Sequence, residues 1–554
     1  MNSLLSGISG LQAHQTMLDV AGNNLANVNT SAFKSSRVTF SDLLSQTLQQ
    51  AGSPSATTGG TNPMQVGSGV QVASIDRNMT QGALMNTGQP LDMAIDGAGY
   101  FVLQDGKGES VYTRVGNFAV DSNFNLVDPG TGNLVQRYSI PGDTDFQDAG
   151  NKNIRIPYDR ALPAKPTTSI TYAGNLSADD LGATTTLLTS GTQYTKSGGA
   201  ASADTLLADL DQAIGLTDGS TVEISGTRRD GSTVAGSYAV SLATSTLGEL
   251  TDAITAAFAD PSDPTQEWST ASISNGEIRL TDSESGYSLT DMNLVCTDGT
   301  TDLIDFPTYF QMLSAGGNAS RSTNIEIYDG LGNSHVMSAA FVRTDTLNTW
   351  DMVLTSLSGD VTLQDRRIEG IAFGTDGSFD TVKAGEESAF RMTFMSAPTE
   401  PITVDVKMGT QYAFDGLSQF GGSSTAAPSG QDGYSPGWLS SISVTNEGVL
   451  TGVFTNGIRR DLAALQVATF QNPAGMPARG NNYFAASANS GDPMIGMALE
   501  GSAGGVRAGA LEKSNVDVAT EFVNLIQAQN GFQANARTIK AANDMLQVLT
   551  NSLG

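Results

Sequence analysis

The chain has 554 residues, too many for one hydrophobic core, so several domains are expected. Its 56 acidic and 28 basic residues give a net charge of −28. This charge argues against nucleic acid or an anionic membrane surface as a partner, because both are bound through basic patches. The single cysteine, Cys296, excludes an intrachain disulfide and a thiolate metal cluster, and we expect it to be a small buried apolar residue.

The start of the chain does not resemble a secretion leader. It carries no positive charge before Lys34 and no continuous apolar run, so no ordinary cleaved signal peptide is expected. No apolar stretch approaches the length of a membrane span, so membrane insertion is not expected either. If the protein leaves the cytoplasm, we expect a route that needs no cleaved leader.

The first predicted element is a helix over residues 3–28, a proline-free stretch whose apolar residues recur at steps of three and four. Its apolar seam comprises Leu4, Ile8, Leu11, Leu18 and Leu25. His14 lies on the same seam. We interpret it as a histidine at the edge of the core rather than a metal ligand, because the only other histidine is His335.

Residues 31–75 form a predicted connecting segment. Its first half predicts a short helix from the spacing of Phe40, Leu43, Leu44 and Leu48. The stretch Gly52–Gly69 is rich in Gly, Ser, Thr and Pro, which predicts a loop. Val70, Val72 and Ile75 then predict the first strand of a β-domain.

The middle of the chain alternates short apolar runs with glycine turns, a pattern typical of all-β modules. Residues 76–160 read as one such domain, and the prolines near residue 163 mark its end. Residues 181–304 are rich in Ser, Thr, Asp and Gly, and they contain one predicted helix, Leu247–Phe258. A Gly-, Ser- and Pro-rich stretch at 415–435 precedes further predicted strands up to residue 510.

The last predicted element is a helix within Ser514–Leu549, where Ser514 and Asp517 predict a capping box. Its heptad seam comprises Val518, Phe522, Leu525, Phe532, Ile539 and Leu546. Gln529 and Asn543 fill two positions of the same register. A stripe this narrow leaves a helix marginal in water, so we expect another helix to cover it.

Two asparagine-rich signatures identify a family. The first is the run Asn23, Asn24, Leu25, Ala26, Asn27, Val28, Asn29 and Thr30, followed by Phe33 and Lys34; the second is Ser514, Asn515, Val516 and Asp517. Together they resemble the terminal signatures of the bacterial flagellar rod and hook axial proteins. The chain departs from the family pattern at Ala32, where the family usually has glycine.

The resemblance implies an α+β, mainly β, fold in which β-domains are inserted between terminal helices that pair as a coiled coil. Every domain except the outermost is then built from two separated segments. The predicted divisions are the terminal helical domain 1–30 and 511–554, the connecting segment 31–75, the first β-domain 76–160 and 431–510, the second β-domain 161–180 and 305–430, and a nested outer module at 181–304 that is similar to flagellin inserts.

The long inserted region favours the hook subunits of this family over its rod subunits. The resemblance implies an extracellular helical homopolymer, a curved tube that acts as a universal joint between motor and filament. Implied partners are further copies of the chain, the flagellar rod, the hook–filament junction protein, the hook cap and the flagellar export apparatus. A distal rod subunit and a secreted adhesin remain alternatives.

No constellation of residues indicates catalysis. The sequence contains no Walker loop or His-Glu-x-x-His motif. Two distant histidines and one cysteine do not make a zinc site. We therefore expect a protein that is not an enzyme and has no catalytic residues, metal or cofactor.

Overall fold

The computed structural model describes residues 2–139, 146–148, 150–179, 182–299, 301–383, 387–396 and 400–553. Over these residues the protein is mainly β with few helices, which confirms the predicted balance of secondary structure. The chain divides into two compact units, one formed by Met1–Leu162 with Trp438–Gly554 and the other by Pro163–Gly437.

The first segment of the first unit carries one helix and a series of strands. They are α1 Asn2–Ala26, β1 Ser36–Asp42, β2 Ser45–Gln49, β3 Met64–Gly67, β4 Val70–Arg77, β5 Leu84–Asn86, β6 Met93–Asp96, β7 Tyr100–Gln104, β8 Ser110–Thr113, β9 Ala119–Val120, β10 Leu126–Val127, β11 Leu134–Val135 and β12 Arg137–Tyr138.

The second unit is mainly antiparallel β-structure, with two parallel strand pairs and one α-helix. Its elements are β13 Ser169–Ser177, β14 Leu187–Thr189, β15 Thr195–Lys196, β16 Gly199–Ala200, β17 Thr221–Thr227, β18 Thr233–Ala239, α2 Leu247–Ala257, β19 Ser269–Ser274, β20 Glu277–Asp282, β21 Asp291–Val295, β22 Gln311–Ser314, β23 Ser320–Tyr328, β24 Ser334–Arg343, β25 Thr349–Leu357, β26 Val361–Asp365, β27 Arg367–Phe373, β28 Phe379–Thr381, β29 Ala389–Phe394, β30 Ile402–Lys407, β31 Leu417–Phe420 and β32 Ala427–Gln431.

The last segment returns to the first unit and ends in a long helix. It comprises β33 Leu439–Val444, β34 Val449–Phe454, β35 Arg459–Leu465, β36 Val467–Thr469, β37 Ala478–Gly480, β38 Tyr483–Phe484, β39 Met494–Gly496, β40 Gly505–Ala508, β41 Ala510–Glu512 and α3 Val518–Leu553.

Strands from both ends of the chain share the sheets of the first unit. One sheet contains β7 and β8 together with β36 and β38, and another contains β12 together with β33, β34 and β35. Phe101, Leu103 and Val467 are buried in this region. The unit is therefore formed only when residues far apart in the sequence pair, as Phe101 does with Val467.

The second unit has two buried clusters. One surrounds Trp350, Tyr172 and Phe341 between the sheet containing β13 and the sheet β23–β24–β25–β27–β28. The other lies under α2, whose Leu250 and Ile254 are fully buried, which confirms the predicted helix. Cys296 belongs to this second cluster, as predicted, and burial raises the pKa of its thiol.

The connecting segment differs from its prediction. Residues 40–48 are not helical. They comprise the end of β1, which pairs with β4, a two-residue connection, and most of β2, which pairs with β3. The stretch Gly52–Gly69 is not simply a loop, since it contains β3. Val38 pairs with Ile75 and Phe40 with Val72, so apolar residues alternate along both strands. This alternation places them on one face of the strand pair, which packs against α1. A short helix would not place them on one face, which explains why strands form here. The predicted strand at Val70 is confirmed as β4.

Asp432 joins the first and last segments of the second unit. Its carboxylate accepts hydrogen bonds from Lys165 Nζ at 2.7 Å, the Thr168 amide at 2.9 Å and the Ser169 amide at 2.8 Å. Burial by itself raises the pKa of Asp432, but these hydrogen bonds outweigh it and hold the pKa well below its usual range.

We expect Asp432→Asn to lower the unfolding free energy of the second unit near neutral pH by about 1–3 kcal/mol, since the variant loses hydrogen bonds to a charged group. Because the folded pKa is depressed, this stabilisation is present above the unfolded carboxyl pKa of about 4 and is lost as the pH falls through the folded value. Urea unfolding of both proteins at neutral and at acidic pH measures the difference. If the difference in unfolding free energy between the two proteins is the same at neutral and at acidic pH, the ionised Asp432 carboxylate does not stabilise the unit.

In the described part of the chain, no helix combines the length and the apolar character needed to cross a membrane. Among the same residues, no three His, Cys, Asp or Glu side chains are grouped so as to hold a metal ion.

Candidate assembly surface

The terminal helices α1 and α3 pack against each other in opposite directions. Near the end of α1, Asn24 Nδ2 donates to Glu521 Oε1 at the start of α3, at 3.1 Å. Near the start of α1, a Cβ added at Gly7 would lie 2.9 Å from Ile539 Cγ1. Residue numbers therefore rise along α1 as they fall along α3, which makes the pair antiparallel.

Small residues form the contact between the two helices. The positions buried here are Gly7, Gly10, Ala13, Ala21, Ala528 and Ala542. A Cβ added at Gly10 would lie 2.8 Å from Asn535 Nδ2, and one at Gly531 would lie 2.5 Å from His14 Cε1. The backbones therefore approach closely because glycine has no side chain. A sequence search for large apolar residues misses this contact, although Gly7, Gly10, His14, Met17 and Ala21 recur at steps of three and four.

The predicted apolar seam lies mostly beside this contact. Half-buried members are Leu4, Leu11, Leu18, Leu25, Leu525, Phe532 and Ile539; exposed members are Ile8, Val518, Phe522 and Leu546. At about 100° per residue, Ile8 and Leu11 are turned roughly 100–160° around α1 from Gly10, and Val518 and Phe522 are turned roughly 80–120° around α3 from Ala528. Ile539 nevertheless reaches the contact, where it faces Gly7. The most buried positions between the helices are thus small residues rather than the predicted large ones.

Large apolar side chains remain uncovered on the first turns of α3. Val518, Phe522 and Ile526 follow one another at steps of four, and Val523 lies next to them. Phe522 is 49% exposed and Ile526 is 54% exposed. We call these four residues the open apolar surface. Val523 and Ile526 were absent from the predicted seam because they fall outside the heptad register.

Asn24 shows the structural role of the asparagines in the N-terminal signature. It is fully buried, and its side chain donates to the Ser36 carbonyl at 2.7 Å and accepts from the Ser36 amide at 2.9 Å. With its bond to Glu521, it links the end of α1 to both β1 and α3. Asn23 and Asn27 bond each other at the helix end, where Asn27 Nδ2 donates to Asn23 Oδ1 at 3.0 Å. Ala26 and Asn29 are exposed, and Leu25, Val28 and Thr30 are half-buried.

Ala32 occupies the turn that follows this signature. Its φ is 54°, in the left-handed region that favours glycine, and its side chain is buried. Its amide donates to the Glu512 carbonyl at 2.8 Å, which holds the turn against β41. The backbone therefore has the geometry that suits the family's usual glycine, although this chain has alanine.

The C-terminal signature joins three segments and begins α3. Asn515 Oδ1 accepts from the Ser35 amide at 2.8 Å, and Asn515 Nδ2 donates to the Asn78 carbonyl at 2.9 Å. The helix begins at Val518 rather than at Ser514. Asp517 is the cap, since its Oδ1 accepts from the Ala519 amide at 3.0 Å; Ser514 instead accepts from the Val516 amide. The predicted capping box is therefore wrong, because Asn515 bonds Ser35 and Asn78 outside the helix and the helix starts only after Asp517.

A buried ionic cluster lies next to this signature. Glu512 accepts from Lys34 Nζ at 2.6 Å and lies 3.4 Å from Arg114 Nη1, and the side chains of all three are at most 5% exposed. Lys34 also donates to the Thr80 carbonyl at 2.7 Å. Burial lowers the pKa of Lys34, and its pairing with Glu512 opposes that shift. One carboxylate thus connects the segment after α1, the β-domain and the strand before α3.

Family models match segments along much of the chain. They are the flagella basal body rod protein at residues 4–34, the D1 domain of flagellar hook protein FlgE/F/G at 94–179, the D2 domain of flagellar basal body protein FlaE at 293–434, and the C-terminal region of flagellar basal body rod FlgEFG proteins at 507–553. The first and last matches contain the two terminal signatures. The chain is therefore an axial protein of the bacterial flagellum.

Full-length relatives define the family more narrowly. The flagellar hook protein FlgE of Treponema pallidum is 32% identical over 99% of both chains, and that of Borreliella burgdorferi is 30% identical over 99% of both. The flagellar basal-body rod protein FlgG of Bacillus subtilis is 51% identical, but over 23% of this chain and 48% of its own length. The chain belongs to the flagellar hook protein FlgE family and is a structural hook subunit. Neither the distal rod nor the adhesin alternative is favoured.

Proposed function

We propose that copies of this chain polymerise into a curved helical tube that acts as a flexible universal joint and transmits torque from rod to filament. The open apolar surface on α3 is the observation that carries this proposal. Exposed apolar side chains grouped on one helix face mark an interaction site. A contact between different surfaces of two copies generates an open helical polymer when it does not close into a ring.

Within the tube, we propose that α1 and α3 act as one antiparallel coiled-coil element and that the acidic β-domains lie outside it in solvent. The small residues between the helices support this role, because they fix the pair closely and leave the larger apolar residues free for neighbouring copies. We retain the domain division 1–30 with 511–554, 31–75, 76–160 with 431–510, 161–180 with 305–430, and 181–304. The shared sheets of the first unit support the pairing of its two segments.

We further propose an extracellular location, reached through the flagellar export apparatus without a cleaved leader. The partners of the assembled tube are then the rod, the hook cap and the hook–filament junction protein. Family membership supports these assignments. No catalytic role is part of the proposal.

We expect Phe522→Asp to block tube formation. An unpaired carboxylate buried between two copies costs several kcal/mol, which is comparable to the whole binding free energy of a weak contact between copies. The β-domains should stay folded, since Phe522 is exposed in the single chain. Electron microscopy of the concentrated protein measures polymer formation, and circular dichroism measures the folding of the β-domains.

The matched control is Gln527→Asp, which adds the same charge at an exposed polar position of α3. It should retain tube formation. If Phe522→Asp forms tubes at the wild-type protein concentration, the open apolar surface is not an assembly contact.

A further inference from the structure

A second uncovered surface lies in the hairpin formed by β2 and β3. The register pairs Ser45 with Gly67, Gln46 with Val66 and Thr47 with Gln65. Every residue of both strands is exposed. A two-stranded hairpin by itself is marginally stable in water, so this one needs a cover on at least one face.

One face of the hairpin is apolar. Side chains alternate along a strand, so Leu48 lies on the same face as Gln46, and Val66 lies opposite Gln46 on that face, with Met64 two residues away. Leu48 is 61% exposed and Met64 is 56% exposed. Leu44, just before β2, is 87% exposed.

The opposite face of the hairpin is polar, and two of its side chains hydrogen-bond to each other. Gln65 Nε2 donates to Thr47 Oγ1 at 3.1 Å across the two strands. Ser45 lies on the same face, two residues before Thr47. The hairpin is therefore amphipathic, and its apolar face lacks a cover among the described residues of the chain.

The absence of charged residues around the hairpin indicates what covers its apolar face. From Leu43 to Ile75 the sequence contains no Asp, Glu, Lys, Arg or His, in a chain whose net charge is −28. Two copies of such an acidic chain repel each other over most of their surfaces. An uncharged surface is where they approach without bringing carboxylates together.

The hairpin is also continuous with the helix pair. The strands β1 and β4, which lead into and out of it, pack against α1. The Val70 amide donates to Ser9 Oγ at 3.3 Å, and the Phe40 ring lies 6.1 Å from that of His14. A neighbour that covers the helices is therefore placed to cover the hairpin as well.

We infer that the apolar face of the β2–β3 hairpin docks on an uncharged surface of a second copy of this chain. This inference rests on the proposed polymerisation, but it assigns a contact distinct from the open apolar surface of α3. The hairpin then becomes fully stable only in the assembly.

Single cysteines test the inference in the full-length chain. Leu48→Cys places a thiol on the apolar face, and Thr47→Cys places a matched thiol on the polar face. Maleimide labelling rates are compared in dilute and in concentrated protein. The wild-type chain gives the background of Cys296, which is buried. Association should slow labelling of Leu48→Cys by about tenfold or more, and that of Thr47→Cys much less.

Charge variants test the same face energetically. Leu48→Glu should raise the protein concentration needed for assembly by about tenfold or more, whereas Thr47→Glu should change it by less than about twofold. Hydrogen exchange of residues 100–104 checks that the first unit is folded in both variants.

The outcomes separate this inference from the proposed function. Tubes in which Leu48→Cys labels at the dilute rate overturn the hairpin contact and leave the proposed function standing. Small oligomers that protect Leu48→Cys without forming tubes support the hairpin contact and overturn the tube. Wild-type protein that does not associate at any concentration overturns both.

Discussion

Glu512→Gln should lower the unfolding free energy of the first unit by about 3–5 kcal/mol, the cost of leaving a buried charge without its partner. Lys34 and Arg114 would both lose the carboxylate they share, and their side chains are at most 5% exposed. The loss of stability should affect the segments next to both terminal helices, since Glu512 connects the segment after α1 to the strand before α3. Native-state hydrogen exchange in β7, Tyr100–Gln104, reports the stability of this unit.

The control for this prediction is Glu109→Gln. Glu109 pairs with Arg479 at 2.7 Å, but both side chains are about half exposed. Exposed ion pairs contribute about 0–1 kcal/mol, so this variant should be nearly neutral. Lys34→Met combined with Glu512→Gln should recover part of the loss, because the double change removes the unpaired lysine charge. Equal effects of Glu512→Gln and Glu109→Gln would show that the buried cluster does not stabilise the unit.

Gly531→Leu should separate the two terminal helices. A Cβ at Gly531 would already lie 2.5 Å from the His14 ring, so a larger side chain forces α1 and α3 apart. Overpacking of this kind costs about 1–3 kcal/mol, enough to open a contact built from small residues. Limited proteolysis of the terminal segments measures the separation, and the variant should also lose tube formation.

Gly22→Leu is the matched control, since a Cβ at Gly22 would meet no atom within 4 Å. Glycine in a helix interior costs about 0.5–1 kcal/mol relative to alanine, so filling this position should leave α1 intact or slightly stabilise it. If both variants are cleaved at the same rate, the close approach at Gly531 does not hold the helices together.

The two predictions concern connected parts of one junction. The helix pair ends at Asn24, which bonds both Glu521 and Ser36, and the ionic cluster lies a few residues further along each segment. Folding of the β-domain therefore places Lys34 and Glu512 where the helices can meet. We expect variants of Glu512 to impair assembly through the position of the helices, without changing the open apolar surface itself.

The sequence by itself determined the terminal helices, the mainly β interior and the flagellar family. These features depend on local signals: steps of three and four residues, alternating apolar residues, and two signatures within short windows. The helix at Leu247–Ala257 and the strand at Val70 were predicted for the same reason. Local periodicity fixes which element forms, whatever lies elsewhere in the chain.

The tertiary structure decided which faces of those elements meet. The predicted seam used the large apolar residues of α1 and α3, but the buried contact uses Gly7, Gly10 and Ala528, which carry little apolar signal. Only the close approach of two backbones shows that a missing side chain is the important feature. The hairpin was missed similarly, because β2 forms through pairing with β3 and has a weak pattern of its own.

Glu512 shows the limit of sequence reasoning most clearly. Its partners Lys34 and Arg114 lie 478 and 398 positions away, so no window of the sequence contains the cluster. Nothing about an isolated glutamate predicts burial, since this residue type is usually exposed. The sequence predicted helices at both ends of the chain that pair with each other. Only the fold showed that one buried carboxylate joins the segments beside those helices, because burial and ion pairing depend on distance in space.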